Sequence, residues 1–199
     1  MTERRADSEL SRRQFLVASA ASAALAGTAA AQPSPAEPAA PLTPRAGEVL
    51  LRITVNGQAA QRAIDPRLSL LDLLREQLDV TSPKRGCEDG TCGSCTVLLD
   101  GQRVPACLVP AALCEGQAIT TVEGLALEGV LSPIQAAFVR HGATDCGFCT
   151  PGQVIAAQAI LRESWGPDDA AVRAALCGHD CACGRLPQII TAIQDVRHR

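Results

Sequence analysis

The chain has 199 residues, enough for one large or two small domains; 10 are cysteine, aromatics make up 2% and tyrosine is absent. Domains of under about 100 residues are marginal without staples, so something other than an aromatic core must hold two such units. The formal net charge of -3 disfavours a polyanionic partner, and three Phe with one Trp cannot line a stacking groove, which excludes nucleic-acid binding.

Residues 1–31 read as a targeting segment. Ser11-Arg12-Arg13-Gln14-Phe15-Leu16 precedes an alanine-dominated stretch from Val17 to Ala31, and Ala29-Ala30-Ala31 offers a small-residue cleavage site before Gln32. Paired arginines followed by Phe-Leu resemble the twin-arginine export signal, a route that carries proteins already folded around cofactors, so a periplasmic location is expected. The apolar stretch is shorter than the ~18 residues of a spanning helix, so no membrane span is expected. Residues 32–46 carry Pro33, Pro35, Pro38, Pro41 and Pro44 and form neither ladder nor helix, which makes them an extended linker.

Structure is predicted from Val49 onward. Val49, Leu51, Ile53 and Val55 alternate with Leu50, Arg52 and Thr54 before Asn56-Gly57, a hairpin signal, with a returning strand to about Ile64. Ser69 with Asp72 caps a helix whose apolar positions are Leu70, Leu71, Leu73, Leu74 and Leu78. Thr96–Leu99 and Val104 flank Asp100-Gly101 as a second hairpin, and 118–122 is a short alternating strand. Two hairpins embracing one helix predict a β-grasp-like domain over 47–123. After Gly124, helix starts take over: Ser132-Pro133, Thr150-Pro151 and Leu186-Pro187 each put Pro at a first helical position. Residues 124–199 therefore read as a small helical bundle, with Ile134, Ala137, Phe138 and His141 on one stripe, Val154, Ala157 and Leu161 on another, and Ile189, Ile190, Ile193 and Val196 on a third. The fold class is α+β.

The chemistry lies in the cysteines. Cys87, Cys92 and Cys95 are separated by four and two residues, and Cys107 follows after eleven more: plant-type 2Fe-2S ferredoxin spacing with a closer fourth ligand. Gly86, Gly90 and Gly93 let the backbone turn tightly and aim N–H groups at sulfur. A second quartet joins Cys146 and Cys149 to Cys181 and Cys183 after thirty-one residues. Both of its pairs sit at helix starts, where the dipole is expected to lower thiol pKa values. Five disulfides would suit an exported protein, but Cys181 and Cys183 are too close to bridge comfortably. A structural zinc could use the second set alone, and Rieske ligation fails for want of a second histidine near a ligand. Cys114 and Cys177 are surplus and read as small buried hydrophobes, and His179 and Phe148 as packing residues.

The order C-x4-C-x2-C-x11-C followed by C-x2-C-x31-C-x-C resembles the iron-sulfur subunit of the xanthine dehydrogenase and aldehyde oxidoreductase family, from about residue 48 to 197. Further likeness lies in Cys92-Gly93-Ser94-Cys95-Thr96-Val97, Ile119-Thr120-Thr121-Val122-Glu123-Gly124-Leu125 and Cys146-Gly147-Phe148-Cys149-Thr150-Pro151-Gly152. The resemblance implies a β-grasp ferredoxin domain plus a four-helix-bundle domain, each with a 2Fe-2S cluster, packed on a large molybdopterin-binding subunit that performs the substrate chemistry. The Cys146, Cys149, Cys181, Cys183 cluster would sit near the pterin. The Cys87, Cys92, Cys95, Cys107 cluster would pass charge to FAD in a further subunit or to the haem of a c-type cytochrome. Asp145 stands where the family commonly has a pterin-contacting Gln, and Gln153 is a second implied pterin contact. The usual C-R-C-T-G-Y is here Cys181-Ala182-Cys183-Gly184-Arg185-Leu186. Two rivals use different chemistry: a free-standing exported ferredoxin-like carrier, and a disulfide-stapled secreted module without iron.

Overall fold

A computed structural model describes residues 42–198; the expected signal peptide over 1–31 and the linker up to residue 41 lie outside them. Strands β1 (Val49–Val55) and β2 (Gln58–Ile64) form the first hairpin, turning through Asn56 and Gly57 at φ 50° and 81°. Two successive positive φ values are what a two-residue turn needs to match strand twist. Asp100 and Gly101, at φ 48° and 82°, do the same between β3 (Thr96–Leu99) and β4 (Gln102–Pro105). Strand β5 (Ala118–Thr120) lies parallel to β1 and antiparallel to β3, which closes a mixed sheet of order β2-β1-β5-β3-β4.

The structure departs from expectation at three elements. β5 stops at Thr120, not at Val122, because its partner β1 ends at Val55 and the Asn56 side chain takes over, accepting from Thr121 N and donating to Thr121 Oγ1, both at 2.9 Å. The capped helix α1 starts as expected at Leu70–Asp72, with Asp72 N donating to Ser69 Oγ at 3.1 Å, then widens to a π-helix over Leu73–Gln77. Its widened end is fitted to the following loop, where Arg75 Nη1 reaches the carbonyls of Thr81 and Pro83 at 2.8 Å each. In the second half the three Pro-started helices form: α2 (Pro133–Arg140), α3 (Thr150–Ile160) and α5 (Leu186–Arg197). Between the last two lies α4 (Asp169–Ala175), capped by the Asp168 carboxylate, which the sequence reading did not locate.

Leu51, Ile53, Val55, Val97 and Ile119 from one sheet face pack with Leu70, Leu71, Leu73 and Leu74 of α1. The opposite face presents Leu98 to Ile155 and Ala159 of α3, while Val154, Ala157 and Ile160 of the same helix pack with Ile134, Phe138, Val172, Ile189 and Ile193. Helix α3 is thus buried all round, not along the single stripe its periodicity suggested. Arg103 of β4 adds a polar tie, forking onto both Glu163 oxygens at 3.0 and 2.7 Å and donating to Ala175 O at 2.8 Å. Among the described residues no helix is long and apolar enough to cross a membrane.

Glu123 fastens the loop before the first cysteines to the junction between the halves, accepting from the Ser82 hydroxyl, from Ser82 N at 3.2 Å and from Thr121 Oγ1. Burial raises its pKa, but the Ser82 and Thr121 donors outweigh burial and hold it below the usual 4.5. A depressed carboxylate contributes stability that is fully present above the unfolded value and lost as pH falls through the folded one. Glu123→Gln should therefore lower Tm most near neutrality, with the gap to the parent closing as pH drops below 4.5; a Tm difference independent of pH would contradict this.

Candidate metal centres

Cys87, Cys92 and Cys95 line the loop between α1 and β3, and Cys107 follows the end of β4, so a hairpin holds the fourth sulfur against the loop that carries the other three. Arg85 anchors the loop start through Asp72 Oδ1 at 2.6 Å and Glu88 Oε1 at 2.9 Å. Cys95 and Cys107 share a thiol contact, and Cys87 lies close enough to act on Cys107 electrostatically. Cys92 N donates to Cys87 Sγ at 3.3 Å. Although Asp89 beside it pushes the other way, donors from Cys92, Asp89 and Thr91 bring the Cys87 thiol down to about 7. Burial, then Cys95, pushes Cys107 up to about 12.

The glycines of this loop divide in role. A Cβ on Gly86 would sit 2.7 Å from Cys92 Sγ, and the Gly90 N–H donates to the Cys107 sulfur, both as expected of a cradle. Gly93, at φ +70°, is needed for another reason: a Cβ there would meet the Gly178 carbonyl and the His179 ring, the latter at 2.5 Å.

The second quartet meets at the starts of α3 and α5. Cys149 contacts Cys181, Cys146 contacts Cys183, and Arg185 N donates to Cys181 Sγ at 3.4 Å. The expected lowering of Cys149 by the helix dipole does not occur, since burial, then the Cys181 thiol, pushes it up to about 12. Cys146 is lowered, chiefly by the Phe148 backbone N–H. All ten cysteines are free thiols. Three thiol pairs approach each other, Cys95–Cys107, Cys149–Cys181 and Cys146–Cys183, and among the described residues no three Cys, His, Asp or Glu side chains converge as a single metal ion would require. A binuclear cluster places two thiolates on each iron, and paired sulfurs over a glycine-lined cradle fit that donor set. Because ligation needs thiolate, loading must release the protons that Cys107 and Cys149 hold.

Other expectations need correction. Cys114 is buried, as expected, but Cys177 is exposed just beyond α4. Phe148 is 48% exposed, with its ring edge 3.7 Å from where a Cβ on Gly86 would stand. His179 bridges the halves, its Nε2 3.0 Å from Thr96 Oγ1, and burial, then the Arg103 charge, lower its pKa. Gln153 is 1% exposed and donates to His179 O at 2.8 Å. Asp145 is exposed beside Cys146, and its Oδ2 accepts from Arg185 Nε and Nη2 at 3.3 and 3.1 Å. Arg185 is one of the residues that depart from the family pattern, so two departures pair with each other.

Two family profiles cover the chain, a 2Fe-2S iron-sulfur cluster binding domain over residues 53–126 and a 2Fe-2S binding domain over 121–194. The aldehyde oxidoreductase iron-sulfur-binding subunit of Escherichia coli is 39% identical, covering 77% of this chain and 73% of that one. The chain belongs to the iron-sulfur subunit family of the aldehyde oxidoreductases and xanthine dehydrogenases. The nicotinate dehydrogenase small FeS subunit of Eubacterium barkeri is 37% identical, covering 74% of this chain and 94% of that one. Quinoline 2-oxidoreductase from Pseudomonas putida contains a chain that superposes with TM-score 0.73 at 41% identity, over 76% of this chain and 95% of that one. In the aldehyde oxidoreductase of Desulfovibrio desulfuricans the match, with TM-score 0.70 at 38% identity, covers 74% of this chain but 17% of that far longer one. Like other members of the iron-sulfur subunit family, the chain has two 2Fe-2S-binding domains in an α+β ferredoxin-like fold.

Proposed function

We propose that this chain is the electron-transfer subunit of an exported, periplasmic molybdenum hydroxylase that oxidises an aldehyde or an N-heteroaromatic compound. Cys87, Cys92, Cys95 and Cys107 hold one 2Fe-2S cluster and Cys146, Cys149, Cys181 and Cys183 the other, in domains of 47–123 and 124–199, the latter a four-helix bundle. The observation that carries this reading is the gathering of eight free cysteines, far apart in sequence, into two sets, with Cys95 against Cys107, Cys149 against Cys181, Cys146 against Cys183 and the Cys92 N–H on Cys87 Sγ.

Each cluster, when bound, takes up and gives up one electron at a time. The protein's part is to place the two stations and connect them. Asp180 N donates to Cys92 O at 3.0 Å, so one hydrogen bond and otherwise covalent bonds run from a first-quartet residue to the backbone beside Cys181. The exposed face with Cys146, Cys183, Phe148 and Asp145 turns to a large molybdopterin-binding subunit, where Oδ1 of Asp145 accepts from a pterin N–H while Arg185 holds Oδ2. The Cys87 side delivers electrons to FAD or a c-type haem in a further subunit. The relatives named for aldehyde and quinoline oxidation support both substrate classes.

Purified anaerobically, the native protein should carry about four iron atoms per chain and copurify with a large molybdenum-containing polypeptide. Iron at that level in a stable, partnerless chain would favour the free-standing carrier; far less iron would end both readings.

A further inference from the structure

The quartets lie in separate halves, and between their loops runs a small polar seam that neither ligand set requires. His179 stands at its centre. Its Nε2 shares a 3.0 Å hydrogen bond with Thr96 Oγ1, next to Cys95, and its ring packs over the α-carbon of Gly93 so closely that no Cβ would fit. Its carbonyl accepts from the buried Gln153 amide at 2.8 Å, and Gln153 follows Cys149 by one helical turn of α3. The next residue, Asp180, makes the 3.0 Å bond to Cys92 O. One residue therefore touches the loop of the first quartet, the helix that follows Cys149 and the strand of backbone leading to Cys181.

We propose that His179 is a positioning residue for transfer between the two sites: its ring and carbonyl bolt the 92–96 loop to the 178–181 loop and so hold the Cys92 carbonyl on the Asp180 N–H. The inference rests on the functional reading above and adds a residue that ligates nothing. Removing the bolt should alter how the sites communicate while leaving each set of four thiols intact.

The test uses the loaded complex, reduced and frozen, in which two nearby paramagnetic clusters split each other's resonances. His179→Leu should lose that splitting, with iron content and each cluster's own g values retained, whereas His179→Gln, which keeps a polar atom able to reach Thr96, should preserve it. Thr96→Val approaches the same bond from the other side and should reproduce the loss, and the double variant should do no more than either alone, since both remove one interaction. Amide hydrogen exchange over residues 176–184 should quicken in both single variants, a readout independent of turnover. Unchanged splitting and exchange in His179→Leu and Thr96→Val, with iron at the wild-type level, would overturn the bolt and leave the functional reading standing. A wild-type complex with no cluster signals would overturn that reading itself.

Discussion

Gly152→Ala should destabilise the protein by about 3 kcal/mol, although alanine is the better helix former by about 1 kcal/mol. Gly152 lies in the first turn of α3, where a side chain would normally point into solvent or loose packing. Here a Cβ would drive into the Gly93 carbonyl oxygen and lie 3.1 Å from both Gly93 C and Ser94 Cα. Those are backbone atoms, and Gly93 cannot retreat because the Gly178 carbonyl and the His179 ring close its other side. The two glycines form a backbone-to-backbone contact with no slack. In thermal melts the cost should appear as a Tm lowered by roughly 6–12 °C for a chain of this size. Gly101→Ala is the contrast: unlike the helical Gly152 it has a positive φ, +82°, but nothing lies within 4 Å of the added atom, so it should lose only about 1 kcal/mol from backbone strain. A Gly152→Ala protein as stable as its parent would show that the halves do not press together as described.

Cys149→Ser should remove one cluster and spare the other. Cys149 pairs with Cys181, so its loss would leave the second donor set one thiolate short of the four that a binuclear cluster takes. Iron should fall from about four to about two atoms per chain, one paramagnetic signal should vanish, and turnover of the complex should cease because the relay is cut. Cys114→Ala and Cys177→Ser, which alter thiols outside both sets, should keep both signals. Loss of both signals, or of neither, in Cys149→Ser would contradict two independent quartets.

What was legible in the sequence was local. Asn56-Gly57 and Asp100-Gly101 announce their turns because the conformational demand falls on the residues named. Ser132-Pro133 announces α2 because the proline occupies its first helical position. The cysteine spacing is likewise a local fact for Cys87, Cys92 and Cys95. Helix α4 escaped because its proline, Pro167, precedes the capping Asp168 and does not occupy the first turn. The parallel pairing of β1 with β5 escaped for a different reason: Thr54 meets Ala118, and alternation within a strand carries no information on its distant neighbour. The second halves of the site were hidden in the same way. That Gln153 points inward, that Phe148 and Cys177 are exposed, and that Gly93 serves the seam more than the cluster all depend on where α3 is placed, not on the residues themselves.

Helix α3 has no wet side, being walled by the sheet through Ile155 and Ala159 and by its sister helices through Val154, Ala157 and Ile160. Severing the chain in the 126–131 connection would leave each piece with a raw oily wall and half a lock. Two iron-binding regions that look modular in sequence are therefore obliged to fold together, even though each keeps its own set of four thiols.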